Sequence, residues 1–162
     1  MTVRALVIVA VMASAPAMAI GQPSTAAARI TTPPVIDGAL TEAVWQTSPV
    51  TGFVQRRPSP GARPGDTTEL RILYGDGVVY VGVRMSDRVP GAIRGVLGRR
   101  DSVLPSDSVT VYLDPLHGGQ VAYLFTINAA GILGDGVVYN QTETDRSWDA
   151  VWTGAARIDA GA

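Results

Sequence analysis

Trp148-Asp-Ala-Val-Trp152 holds the residue types best suited to recognising a ligand in this chain. Trp148 closes a polar stretch, Asn140-Gln-Thr-Glu-Thr-Asp-Arg146. An indole ring placed there can stack on the apolar C–H face of a sugar, with Asp149 beside it. Trp148 and Trp152 share parity, so both face one side of a strand that begins at Trp148. Core burial of the two rings is the competing reading. Arg94, Arg99 and Arg100 line a long loop before Asp101 and Asp107. They can pair with these acids, or they can meet the acid group of a glycan or a phosphate. Trp148, Asp149, Arg99 and Arg100 are the candidate carbohydrate-binding residues. Glu143, Asp145 and Asp149 form an oxygen-rich cluster of the kind that holds calcium, which takes about six to eight oxygen ligands. Their spacing is not that of an EF-hand, and a solvated acidic loop is the alternative.

Little else points to chemistry. His117 is the one histidine, in the turn sequence Leu116-His-Gly-Gly119. A Ser-His-Asp triad would have to use it, and the chain has no Gly-x-Ser-x-Gly elbow. The chain has no cysteine, which excludes disulfides, thiol catalysis and zinc–thiolate sites. No catalytic residue is assigned, and the expectation is a protein that is not an enzyme.

These residues need elements to position them. The chain has 162 residues and a net charge of −1, and its 13 basic residues are all Arg. That balance gives no electrostatic reason to bind nucleic acid. The opening reads as an export signal: Arg4, an apolar run from Ala5 to Met12, then the small-x-small site Ala17-Met18-Ala19. Residues 1–19 are therefore expected to be a signal peptide, and residues 20–32 a linker rich in Ala, Ser, Thr and Pro. The expected location is the periplasm, outer membrane or exterior. Residues 33–162 are expected to form one domain, truncated at its C-terminus, because a strand is ending where the chain stops.

In Val35-Ile-Asp-Gly-Ala-Leu-Thr-Glu-Ala-Val-Trp45, Asp37-Gly38 marks a turn and Thr41 reads as a helix cap. Leu40, Val44 and Trp45 share an apolar helix face. Residues 56–66 form a Pro/Gly loop, and residues 86–106 are irregular. Between and beyond them the period is two. Strands are expected over residues 68–74, 78–84, 108–113, 121–128, 132–139 and 151–158. Gly75-Asp-Gly77 joins the first two as a hairpin. The hexapeptide Gly-Asp-Gly-Val-Val-Tyr occurs at 75–80 and again at 134–139. It reads both times as an Asp-Gly turn followed by a β-branched strand. The fold class expected is all-β, an antiparallel β-sandwich of jelly-roll type with one short N-terminal helix.

The segment from Val35 to Trp45 resembles the Ile-Asp-Gly-x-Leu-x-Glu-x-x-Trp opening of family 9 carbohydrate-binding modules. Asp107-Ser-Val-Thr-Val-Tyr-Leu-Asp114 resembles their middle strand, Asp-Ser-Val-x-x-x-x-Asp. The hairpin through Val79-Tyr80 to Asp87 and the Trp148–Trp152 segment are also similar to the family. The likeness covers roughly residues 33 to 160 and implies a β-sandwich without catalysis. It also implies binding of sugar chain ends in some members, structural calcium in some, and often a following outer-membrane-type barrel. Leu104, Thr110 and Thr126 stand where sugar-binding members carry Trp, a carboxylate and Arg. The resemblance implies a non-catalytic carbohydrate-binding module of an exported protein, tied to polysaccharide breakdown or uptake. Its partner would be a glycan or polysaccharide end. The alternative is a structural module that docks on a downstream domain of the same chain and binds no sugar.

Overall fold

The computed structural model describes residues 25–159, so the expected signal peptide lies outside the described residues. The fold is all-β, built as two sheets. The first contains β1 (Ala28–Arg29), β2 (Thr68–Gly75) and β3 (Val78–Met85), in that order. The second contains β4 (Ser108–Leu113), β5 (Val121–Asn128), β6 (Leu133–Tyr139) and β7 (Glu143–Asp145), also in sequence order. Every neighbouring pair is antiparallel except β1 and β2, which run parallel.

Local chemistry accounts for most of these elements. β2 and β3 meet through Asp76 and Gly77, at φ 48° and 74°. Two consecutive positive φ values make the two-residue hairpin turn whose twist matches the flanking strands. The register then pairs Leu73 with Tyr80 and Ile72 with Val81. Asp37 accepts a bond from the Ala39 backbone N–H at 2.8 Å, and Gly38 takes φ 84°, so the expected turn is present.

The helix expected after that turn is one 3-10 turn, Ala43–Trp45. Glu42, not Thr41, precedes it, and Glu42 gives it no side-chain cap. Its Oε1 instead accepts the Val35 N–H at 2.9 Å, closing the chain back on itself. Two more differences concern strands. β1 lies in the segment read as linker, where Ala28 and Arg29 pair with Leu73 and Tyr74. β7 lies in the polar stretch before Trp148 and pairs with residues 137–139 of β6. Residues 151–158 form no strand. β7 already occupies the outer edge of β6 at residues 137–139. Asp101 occupies the same edge at residues 133–135, bonding the Leu133 carbonyl through its N–H and the Asp135 N–H through its carboxylate. The last segment instead crosses the sheet face on its side chains.

The buried apolar residues are Trp45, Leu73, Leu124, Val137 and Val138. Trp45 is 3% exposed, as expected of a core anchor. It lies against Gly82 of β3: a Cβ there would sit 2.7 Å from the indole and 3.0 Å from Leu40 Cδ2. That close approach explains a glycine inside an otherwise β-branched strand. Gly82→Ala is expected to cost about 1–3 kcal/mol through overpacking. The melting temperature would fall by roughly 5–10 °C. Thermal unfolding followed by circular dichroism checks this, and an unchanged melt would show that the indole does not rest on β3.

Candidate functional site

The second sheet has two unlike faces, set by alternation along β4 and β5. Val109, Val111, Phe125 and Ile127 alternate with Ser108, Thr110, Thr126 and Asn128. The register places Ser108 opposite Asn128 and Thr110 opposite Thr126. Directly opposed residues share a face, so the polar four gather on one side. The Thr110 and Thr126 hydroxyls bond each other at 2.9 Å.

The aromatic face takes the two tryptophans. Trp148 lies 4.9 Å from Tyr123 and 6.3 Å from Phe125 between ring centroids. Trp152 meets Phe125 edge-on at 5.4 Å. Such pairs contribute about 0.5–1.5 kcal/mol each beyond their burial. Both rings pack on β5, but residues 148–152 form no strand, so this is not the strand parity expected from their spacing. Trp148 is half-buried in this cluster rather than standing free above a loop.

The polar face carries a cleft of about 160 Å³. Its floor is Ser108, Thr110, Thr126 and Asn128, with Ile132, Leu133 and Gly134 at one end. One wall is the loop of Ser102, Val103, Leu104 and Ser106, and Arg146 lines the cleft as well. Leu104, Thr110 and Thr126, the three positions that match family contact residues, therefore line a single cleft.

The loop that forms the wall is tied down at both ends. At its far end, Ser106 Oγ donates to the Arg94 carbonyl at 2.7 Å, and Asp107 accepts the Arg94 N–H at 2.7 Å. Asn128, 6% exposed, donates to the Val96 carbonyl and accepts from the Ala130 and Ile132 N–H groups. At its near end stands Asp135, which is fully buried on β6. One of its oxygens accepts Arg100 Nη2 at 2.7 Å, and the other accepts the Ala150 N–H. Arg100 Nη2 also donates to the Ala150 carbonyl at 3.2 Å. A buried carboxylate is tolerated only with such partners. Asp135 therefore binds the 100–106 loop and the 146–150 segment to the same strand.

The candidate residues separate into different places. Arg100 and Asp149 come together, with Arg100 Nε 4.0 Å from Asp149 Oδ1. Arg99 is exposed, and its carbonyl accepts the Ser102 N–H at 3.2 Å. Trp148 belongs to the aromatic face. These four residues do not form one pocket. The three acids proposed for calcium do not converge either. Among the described residues, the carboxylates that gather are Asp101, Asp135 and Asp149, within 4.8 Å of one another. Glu143 and Asp145 lie on β7, and Asp145 holds Ser147 through its N–H and Oγ at 2.8 and 2.7 Å. Arg100 offsets one of the three negative charges gathered there. It lies 2.7 Å from Asp135 and 3.6 Å from Asp101. The Arg–acid pairing weighed for this loop is present at Arg100.

Asp101 is expected from the sequence as an arginine partner, whereas nothing in the spacing marks Asp135 or Arg146. The available signal was Asp135 itself, a carboxylate inside a strand whose neighbours read as core. Comparisons with protein-family models, with curated proteins and with solved structures return no match to this chain. The likeness to family 9 modules therefore stands on the quoted motifs alone.

His117 sits in a turn at φ 52°, exposed, beside Asp114. The Asp114 carboxylate accepts the Gly119 N–H at 2.7 Å and the Leu116 N–H at 3.1 Å. The Gly119 bond first, then those of Leu116 and Gly118 and the His117 charge, hold its pKa below the ordinary 3.8. A depressed folded pKa means that the contribution to stability is present above the unfolded value. It is lost as pH falls through the folded one. An NMR titration of the carboxyl carbon should give a midpoint below 3.8. Asp114→Asn should flatten the loss of stability between about pH 5 and pH 2. A midpoint at or above the ordinary value would contradict the turn geometry.

Proposed function

We propose that this chain is a non-catalytic saccharide-binding module of an exported protein, with its site in the polar cleft of the second sheet. The observation that carries the reading is the convergence of Leu104, Thr110 and Thr126 on one hydroxyl-lined cleft. A pyranose offers a ring of hydroxyls and an apolar C–H face. Ser and Thr hydroxyls can donate and accept toward the first, and Leu104 supplies an apolar contact for the second. The leader-like opening supports export. At about 160 Å³, the cleft falls below the roughly 300–1,000 Å³ of drug-sized pockets. That size suits one sugar unit at a chain end.

Affinity should be weak. At about −0.3 kcal/mol per non-hydrogen atom, a sugar of about twelve such atoms gains about −4 kcal/mol. That corresponds to a Kd near 1 mM. Isothermal titration of the full chain with a panel of monosaccharides tests the reading. The Thr110→Val and Thr126→Val double variant should bind about tenfold more weakly, losing two hydroxyls while keeping side-chain volume. No binding of any sugar at about 10 mM, or unchanged affinity in the double variant, would overturn it.

A second reading has its own observation. On one face of the first sheet, Val79, Val81 and Met85 are 59%, 40% and 53% exposed. An apolar sheet face of this kind suits a module that docks on a neighbouring domain and binds no sugar.

A further inference from the structure

We infer that the cleft selects an acidic sugar, one carrying a carboxylate, through Arg146. The inference rests on the saccharide-binding reading and deepens it.

Among the described residues, Arg146 is the one charged side chain lining the cleft, and no acid lines it. Among the described residues, its guanidinium has no carboxylate within 4.0 Å and no side-chain hydrogen bond. The adjacent acid, Asp145, turns away from it and holds Ser147. Asp101, Asp135 and Asp149 gather around Arg100 and do not line the cleft, and Asp101 Oδ1 stands behind Gly134, 3.5 Å from where a Cβ there would sit. A cation beside uncharged hydroxyls favours a ligand with one negative charge.

The other lining groups show which contacts remain for a ligand. Asn128 spends its carbonyl and one of its two amide N–H donors on the backbone around it. Ser106 is used by Arg94 and Val96. Thr110 and Thr126 bond each other but keep spare acceptor capacity. The hydroxyls of Ser102 and Ser108 make no hydrogen bond to the described residues, and both line the cleft. The arrangement therefore offers one planar, two-pronged cation and a few free hydroxyls. A guanidinium matches a carboxylate through two parallel N–H bonds, while free hydroxyls match ring hydroxyls. A uronic acid carries both kinds of group on one ring. A neutral sugar leaves Arg146 without a partner, and a simple carboxylate leaves Ser102 and Ser108 without one.

The position of Arg146 is set by the strand that precedes it and the strut that follows. β7 ends at Asp145, and Ala150 is held by Asp135. These ties hold the backbone from which the exposed Arg146 side chain reaches the cleft.

The test uses the full chain and three probes: glucuronate, its methyl ester and glucose. Isothermal titration at low salt should show glucuronate binding about tenfold more tightly than the ester, as expected for one charge-assisted contact. The gap should narrow as salt is raised. R146Q should bring glucuronate down to the level of the ester, with circular dichroism reporting an unchanged sheet signal. Equal affinity for acid and ester would overturn the inference and leave the neutral-saccharide reading standing. A preference that survives in R146Q would also overturn it. Failure of all three probes to bind would overturn both readings.

Discussion

The buried carboxylate of Asp135 is the constraint on which the rest of the second sheet depends. It sits on β6 with no exposure to water, so each of its oxygens must be satisfied from within the protein. The partners that satisfy it come from two stretches far apart in sequence. Arg100 belongs to the long irregular loop, and Ala150 belongs to the segment after β7. Neither stretch has a strand to hold it at that point. The requirement to pair one buried charge therefore fixes both. Asp101 completes the arrangement by adopting φ 64° and bonding the β6 edge with both its backbone and its side chain. In effect it replaces a short strand.

The proposed saccharide site rests on that fixation. The cleft has a floor made by strand alternation and walls made by these two stretches. The floor is rigid because Ser108, Thr110, Thr126 and Asn128 stand on paired strands. The walls are only as well placed as the strut that holds them. On the opposite face of the same sheet, Trp148 and Trp152 lie on Tyr123 and Phe125 and hold the last segment across the strands. The aromatics thus contribute stability on one face, while the hydroxyls and Arg146 line the cleft on the other. Arg100, expected to bind a ligand, is consumed by structure, and among the described residues Arg146 is the charged side chain that lines the cleft.

Much of the fold was legible in the sequence because its signals are local. Alternation marked β2 to β6 to within a residue or so, and Gly75-Asp-Gly77 announced its hairpin. The failures share a cause, which is that tertiary partners decided the outcome. Gly-Asp-Gly-Val-Val-Tyr is a turn and strand at 75–80 but lies within β6 at 134–139. The six residues are identical, and only the second copy finds Arg100, Asp101 and the Ala150 N–H waiting for its aspartate. Residues 151–158 have strand composition, yet both edge stretches of β6 were already taken. β1 and β7 are too short and too polar to show a period. At the site, Trp148 drew notice because aromatics suit sugars, but its nearest π-faces proved to be Tyr123 and Phe125. The cleft was legible only as three scattered positions, since Arg146 and the serines reach it through loops whose course no spacing reveals.

Hydrogen exchange in wild type and Asp135→Ala tests the central claim most directly. Alanine removes both carboxylate oxygens, so the Arg100 bond and the Ala150 bond are lost together. The account predicts faster exchange in both the 100–106 loop and the 146–150 segment, with the β2–β3 hairpin unchanged. Loss of protection confined to one of the two segments, or spread equally into the hairpin, would contradict it.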